Sequence, residues 1–177
     1  MLRAATFDDA DAIARLHAES WRRTYRGLMR DAYLDDEVVD DRIGVWRERL
    51  ANPDPRRMVE VAERVGTLAG FICVYGAEHP RWGSLIDNLH VSWDARREGI
   101  ATLLMRDAAR WLNAQYADLP LYLGVMEANT GARRFYQRLG AHEDAAEDTQ
   151  VHGGGTAAVC RCRWNRPGAL LRACSER

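Results

Sequence analysis

"LHVSWDARREGIATLLM", residues 89–105, joins an apolar, strand-like run to a segment with helical spacing through a loop that carries Arg96, Arg97 and Gly99. A helix start leaves its first N–H groups without intrahelical partners and carries partial positive charge, so such a loop suits an anion. Gly99 stands alone where a G-x-G-x-x-G dinucleotide loop has three glycines, and no G-K-[ST] follows as in a P-loop. What remains is R-x-x-G-x-A, with Thr102 after it. Two readings stay open. Either Gly99 and the small Ala101 let phosphate oxygens approach the backbone while Arg96 or Arg97 adds charge-assisted hydrogen bonds, or two solvated arginines simply precede a helix. Glu98 opposes an anion unless its side chain points to solvent.

On the N-terminal side of this stretch, "LRAAT" reads as a first strand, and Asp8 or Asp9 can cap a helix marked by Ala12, Ile13 and Leu16. A broken helix and loop rich in arginine and aromatics follows. Val38, Ile43, Val45, Trp46 and Leu50 then restore a helical period that stops at "NPDP". "RMVEVAE" and "TLAGFICVYG" form an antiparallel hairpin about "RVG", and "SLIDNLHV" is a third run after the loop "AEHPRWG". On the C-terminal side, Ile100, Leu103, Leu104, Ala108, Trp111 and Leu112 mark one helix face. "LYLGV" is a strand, "NTGARRFYQRLG" a short helix, and "EDTQVHGGGTAAVCRCRW" a hairpin turned on its glycines; the segment after Trp164 reads as an irregular cover. Strands and helices in this order describe a mixed α/β sheet.

The chain has 177 residues with 47% hydrophobic content, enough for one sizeable core. One domain over residues 1–166 and a tail over 167–177 are expected. A formal net charge of -1 gives no global basic field, which argues against nucleic acid as a partner. All 25 Lys+Arg residues are arginine, which excludes lysine covalent catalysis. No leader peptide or membrane-length apolar run is expected, nor a membrane partner. The four cysteines have no zinc spacing with histidine, no metal site is expected, and reduced thiols in a cytoplasmic protein are the default reading.

A second motif, "VMEANTGARRFYQRLGA" at residues 125–141, places Ala132, Phe135, Tyr136 and Leu139 at helical spacing directly after a strand. This motif and residues 89–105, in that order, resemble the GNAT superfamily of acyl-CoA-dependent N-acyltransferases. Residues 8–28, the hairpin at 59–75 and the final hairpin resemble it in order and spacing, so the likeness covers most of residues 2–164. Ala101 stands where many members have glycine, and Ala141 where an aromatic is usual.

The resemblance implies a mostly antiparallel central sheet of six to seven strands, flanked by helices on both faces. It implies acetyl-CoA as cosubstrate, with the diphosphate on the backbone of Arg97, Glu98, Gly99, Ile100, Ala101 and Thr102, assisted by Arg96. Leu89, His90 and Val91 are expected to pair through their backbone with the pantetheine arm. Asn129 is expected to contact that arm, and Tyr136 to lie beside the sulfur as the acid. Asp87 is the first choice for the base and His90 the second; regular strand alternation sets them on opposite faces. Trp21, Arg22 and Tyr25 resemble the region lining the acceptor side. The function implied is transfer of an acetyl group to a primary amine of a small molecule or peptide by direct attack in a ternary complex. A non-catalytic acyl-CoA-binding sensor is the alternative, and a homodimer is left open.

Overall fold

The computed structural model describes residues 1–176. The first strand, β1 (Leu2–Ala4), leads through a 3-10 turn into helix α1 (Ala10–Thr24), and a π-helical turn at Tyr33–Glu37 leads into α2 (Val38–Ala51). Strands β2 (Arg57–Arg64), β3 (Thr67–His79) and β4 (Gly83–Val91) form a meander, followed by α3 (Ile100–Gln115), β5 (Leu121–Met126) and α4 (Thr130–Arg138). Strands β6 (His142–Glu143), β7 (Glu147–Gln150) and β8 (Thr156–Trp164) and helix α5 (Pro167–Ser175) complete the described chain. The eight strands are ordered β1-β2-β3-β4-β5-β8-β6, with β7 also on β8. Among the described strands only β4 and β5 pair in parallel. The count exceeds the six to seven expected because β6 and β7 use different stretches of β8: His142 and Glu143 face Arg163 and Cys162, whereas Glu147 to Gln150 face Val159 to Thr156.

Alternation along β3 explains both layers. Phe71 and Cys73 pack under α1 and α2 with Ile13, Leu16 and Trp46, while Ile72 and Val74 pack under α3 with Leu104, Met105, Ala108 and Leu112. A strand buried on both faces reads as the unbroken apolar run "FICV". The α3 stripe runs through Leu104, Ala108 and Leu112, four residues apart, and Leu103 turns about 100° away, leaving it 37% exposed rather than on the apolar face expected for it.

The segment after Trp164 is not an irregular cover. Pro167 supplies the preset φ at the start of α5, and Leu170 and Cys174, one helical turn apart, enter the same core as α3. No helix among the described residues is long and apolar enough to cross a membrane.

Candidate active site

The site begins with a split in the sheet. β4 and β5 are paired only at Ser84 with Leu121 and Leu85 with Tyr122. From Ile86 onward the two strands have no mutual ladder, and a cleft of about 1420 Å³ opens between them. The opposite edge of β4 stays on β3, where Cys73 pairs with Asn88 and Val74 with Ile86. Asp87 is therefore the extra residue of a β-bulge.

That bulge corrects the expected geometry. Asp87 meets Arg49 of α2 at 2.6 Å, and His90 shares a 2.9 Å hydrogen bond with Ser20 of α1. Both candidate bases thus lie on the α1/α2 side, because one inserted residue resets the alternation between them. The backbone phase is set by the Ser92 N–H donating to the Ala69 carbonyl. Counting back from it, the backbone groups of Leu89 and Val91 face the open edge and those of His90 face β3. Of the three residues expected to pair with a pantetheine arm, His90 instead contributes its ring.

At the mouth of the split lies the arginine loop. Arg97 and Gly99 adopt left-handed φ values of 69° and 82°. None of the N–H groups of residues 97–102 has a hydrogen-bond partner among the described residues, and the first α3 bond runs from Leu103 N–H to the Gly99 carbonyl. The first turn of α3 carries no acidic side chain. Glu98 turns aside to Arg64 at 3.2 Å, so its carboxylate is not in the loop concavity. Arg96 stacks on Trp93 at 4.1 Å with Arg23 on the same indole at 5.3 Å. Burial, then the Arg23 charge, lowers the proton affinity of Arg96, as expected for clustered cations without an anion.

The second motif forms the facing wall. Asn129 Oδ1 accepts the Ala132 N–H at 3.2 Å and caps α4, while its side-chain amide donates to the Tyr25 hydroxyl across the cleft wall. Tyr136 is buried beside Phe135 and Trp164 and lines the cleft. Burial, then the neighbouring Tyr25 and Cys162, raises its pKa well above the usual tyrosine value, so it stays a neutral phenol. Trp21 and Tyr25 line the same space, but Arg22 does not: its guanidinium donates to the Leu34 and Asp35 carbonyls at 2.6 and 2.8 Å and clamps the π-helical turn.

Several wall residues escaped the sequence reading. His17 stacks on His90 at 4.4 Å, and its Nδ1 accepts Trp46 Nε1–H at 3.1 Å. Arg42, Arg49 and His152 line the cleft as well. Arg42 had a readable signal, since it lies on the stripe of Val38, Trp46 and Arg49, spaced four, four and three residues apart, rather than on the solvated face of α2.

The buried histidines give a pH signature. Burial, then the Arg96 charge, pushes His90 down to about 3, and burial, then His90 and Arg42, holds His17 well below its ordinary value. Unfolded, both titrate near ~6.5, so their contribution is intact above that pH and is lost as pH falls toward the folded values. Glu60 on β2 has the opposite sign. Burial, then Asp107, raises it to about 7, so its contribution is present in acid and is lost as pH rises through that value. The melting temperature is therefore expected to fall between pH 6.5 and 5, with net uptake of roughly one proton on unfolding, and Glu60→Gln is expected to steepen the fall. A melting temperature that rises on acidification would contradict this assignment.

Comparison with known proteins agrees with this geometry. A sequence profile described as the acetyltransferase (GNAT) family matches residues 11–141. A probable N-acetyltransferase of Mycobacterium tuberculosis is 28% identical over 148 residues, covering 81% of this chain and 80% of that protein. Among solved structures, the PaiA N-acetyltransferase of Thermoplasma acidophilum in complex with coenzyme A aligns with a TM-score of 0.64 at 16% identity, covering 93% of this chain and 98% of that one. The ribosomal-protein-alanine N-acetyltransferase of Brucella melitensis aligns with a TM-score of 0.70 at 20% identity, covering 93% and 99%. With a profile match across most of its length and a split sheet that opens beside a helix start of unpaired N–H groups, the chain belongs to the acetyltransferase (GNAT) family.

Proposed function

We propose that this cleft transfers an acetyl group from acetyl-CoA to a primary amine, with both substrates bound at once. The observation that carries the reading is the run of six unpaired N–H groups at residues 97–102, opening onto the unpaired edge of β4. The fit is chemical: consecutive main-chain donors at a helix start, with Arg96 and Arg97 beside them, suit a diphosphate. The free backbone groups of Leu89 and Val91 suit the amides of a pantetheine arm as a neighbouring strand would.

Acetyl-CoA supplies the thioester; the amine nitrogen bonds to the acyl carbon, the carbon–sulfur bond breaks, one proton leaves nitrogen and one is taken up by sulfur. A backbone N–H on the open edge of β4 at Val91 is placed to steady developing negative charge on oxygen. Asp87 is the group assigned to receive the amine proton. It sits on the bulge with its side chain partly exposed, and it can pass the proton to water. His90, whose proton affinity is depressed to about 3, is a poor base and serves as a neutral wall. Tyr136, kept protonated by its burial, is the donor to sulfur.

Acetyl-CoA is expected to raise the melting temperature, and an amine panel is expected to release free thiol from it. Binding without thiol release from any amine would favour an acyl-CoA sensor, and no binding would remove the reading. Tyr136→Phe is expected to lower kcat about ten- to fiftyfold with acetyl-CoA affinity unchanged. This is less than general acids usually contribute, because a thiol of pKa about 8.5 already leaves as thiolate. An undiminished kcat in that variant would return Tyr136 to a packing role.

A further inference from the structure

The acceptor side of the cleft contains a cation that its own protein leaves incompletely met. Arg42 is only 4% exposed, yet it lines the cleft. Its guanidinium stacks on the Trp21 indole at 4.7 Å, and Nη2 donates to Asp41 at 2.9 Å. Its Nε–H is buried and has no partner among the described residues. Asp41 is shared, because its carboxylate also accepts the Tyr33 hydroxyl, and 37% of its side chain meets solvent. A guanidinium offers five donors in one plane, and burying them unmet is costly unless an anion arrives. Arg49 differs, since it is matched directly to Asp87 at 2.6 Å.

Position supplies the rest of the argument. Ring contacts lead from β4 to Arg42: His90 to His17 at 4.4 Å, His17 to Trp21 at 4.6 Å, and Trp21 to the guanidinium at 4.7 Å. Arg42 and Asp87 both line the cleft, and because Asp87 pairs with Arg49, two helical turns along α2 from Arg42, they sit at separate ends of one chamber. The charged side chains lining it there are Arg42, which is bonded to Asp41, with Arg49 and Asp87, and the histidines between them, including His152 at 5.3 Å from Trp21, are held toward the neutral form by burial. A carboxylate shared with Arg49 lies at the reacting end, and the unmet Nε–H of Arg42 lies at the other. A molecule with an amine at one end and a carboxylate at the other complements both.

We propose that the acceptor is a primary amine bearing its own carboxylate, an amino acid or a close analogue. Its acid group is held by Arg42 on the Trp21 face, and its amine is turned toward Asp87. This rests on the acetyl-transfer reading and narrows it to a substrate class.

The test is thiol release by the full chain with acetyl-CoA and matched pairs: L-amino acids and ω-amino acids, each beside its carboxamide. Rates are taken per unprotonated amine, since amidation lowers the proton affinity of the nitrogen. The acids are expected to lead their amides by roughly ten- to a hundredfold in kcat/KM, the range of a hydrogen-bonded charge pair. Arg42→Gln is expected to erase that lead, chiefly by raising KM for the acids, while acetyl-CoA still raises the melting temperature. Amides equal to acids, a lead that survives Arg42→Gln, or no acid acetylated by a protein that binds acetyl-CoA would each overturn the inference. Absence of any response to acetyl-CoA would instead overturn the acetyl-transfer reading. The wild-type pairs decide the matter alone if the variant does not fold.

Discussion

Gly99→Asp is expected to leave a folded protein whose melting temperature no longer responds to acetyl-CoA. The backbone at this position has φ of 82° and ψ of -2°, a left-handed conformation in which a side chain costs about 1 kcal/mol and aspartate is among the best tolerated. A Cβ there meets nothing within 4 Å, so the fold has no further clash to absorb. The ligand site suffers far more. The new carboxylate enters a concavity lined by main-chain N–H groups, takes those donors for itself and repels a diphosphate. Two like charges about 4 Å apart at an effective dielectric of 20 repel by about 4 kcal/mol, or roughly a thousandfold in affinity. Gly99→Ala carries at least the same backbone cost without the charge, so it is expected to keep the response. Titration of acetyl-CoA by calorimetry and by thermal shift on both variants separates strain from electrostatics. Normal binding by the Gly99→Asp variant would remove the diphosphate from this loop.

Leu170→Ala is expected to lower stability by about 3 kcal/mol, within the range of roughly 2–5 for a leucine removed from a close-packed core. Leu170 is fully buried in the cluster that contains Leu104, Met105, Ala108 and Leu112 of α3 and Trp164 of β8. In a chain of this size each kcal/mol moves the melting temperature by roughly 2–4 °C, so a fall of about 6–12 °C is expected. Affinity for acetyl-CoA is expected to stay, since no residue of α5 lines the cleft. A loss under about 1 kcal/mol would mean that α5 does not dock as described.

These two positions show where sequence was informative and where it was not. The arginine loop was legible because its requirements are local: a helix start, a residue free to adopt positive φ, and small neighbours all fall within residues 96–102. The flanking meander was legible from alternation for the same reason. Helix α5 was not, because nine residues with two inward positions give almost no periodic signal, and so short a helix exists by docking rather than by propensity. The facing of Asp87 and His90 was misread because a bulge is set by pairing with β3, and no residue between Ile86 and His90 announces it. Arg42 went unnoticed because an arginine directly after two acids in a helix resembles a solvated face until the stripe through Trp46 is counted. The elements follow from neighbouring residues, whereas the acceptor chamber depends on contacts between α1, α2 and the last hairpin, far apart in the chain.

The short ladder between β4 and β5 has a mechanical consequence. Past those two residue pairs, the halves of the molecule are held together by side chains, beneath α3 on one face and between α1, α2 and the last hairpin on the other, and side-chain packing yields to small shearing motions that a hydrogen-bonded ladder resists. A ligand lying along the bare edge of β4 would act as an inserted splint. It would couple the halves across the seam, so that filling the donor side also stiffens the walls against which the second substrate must settle.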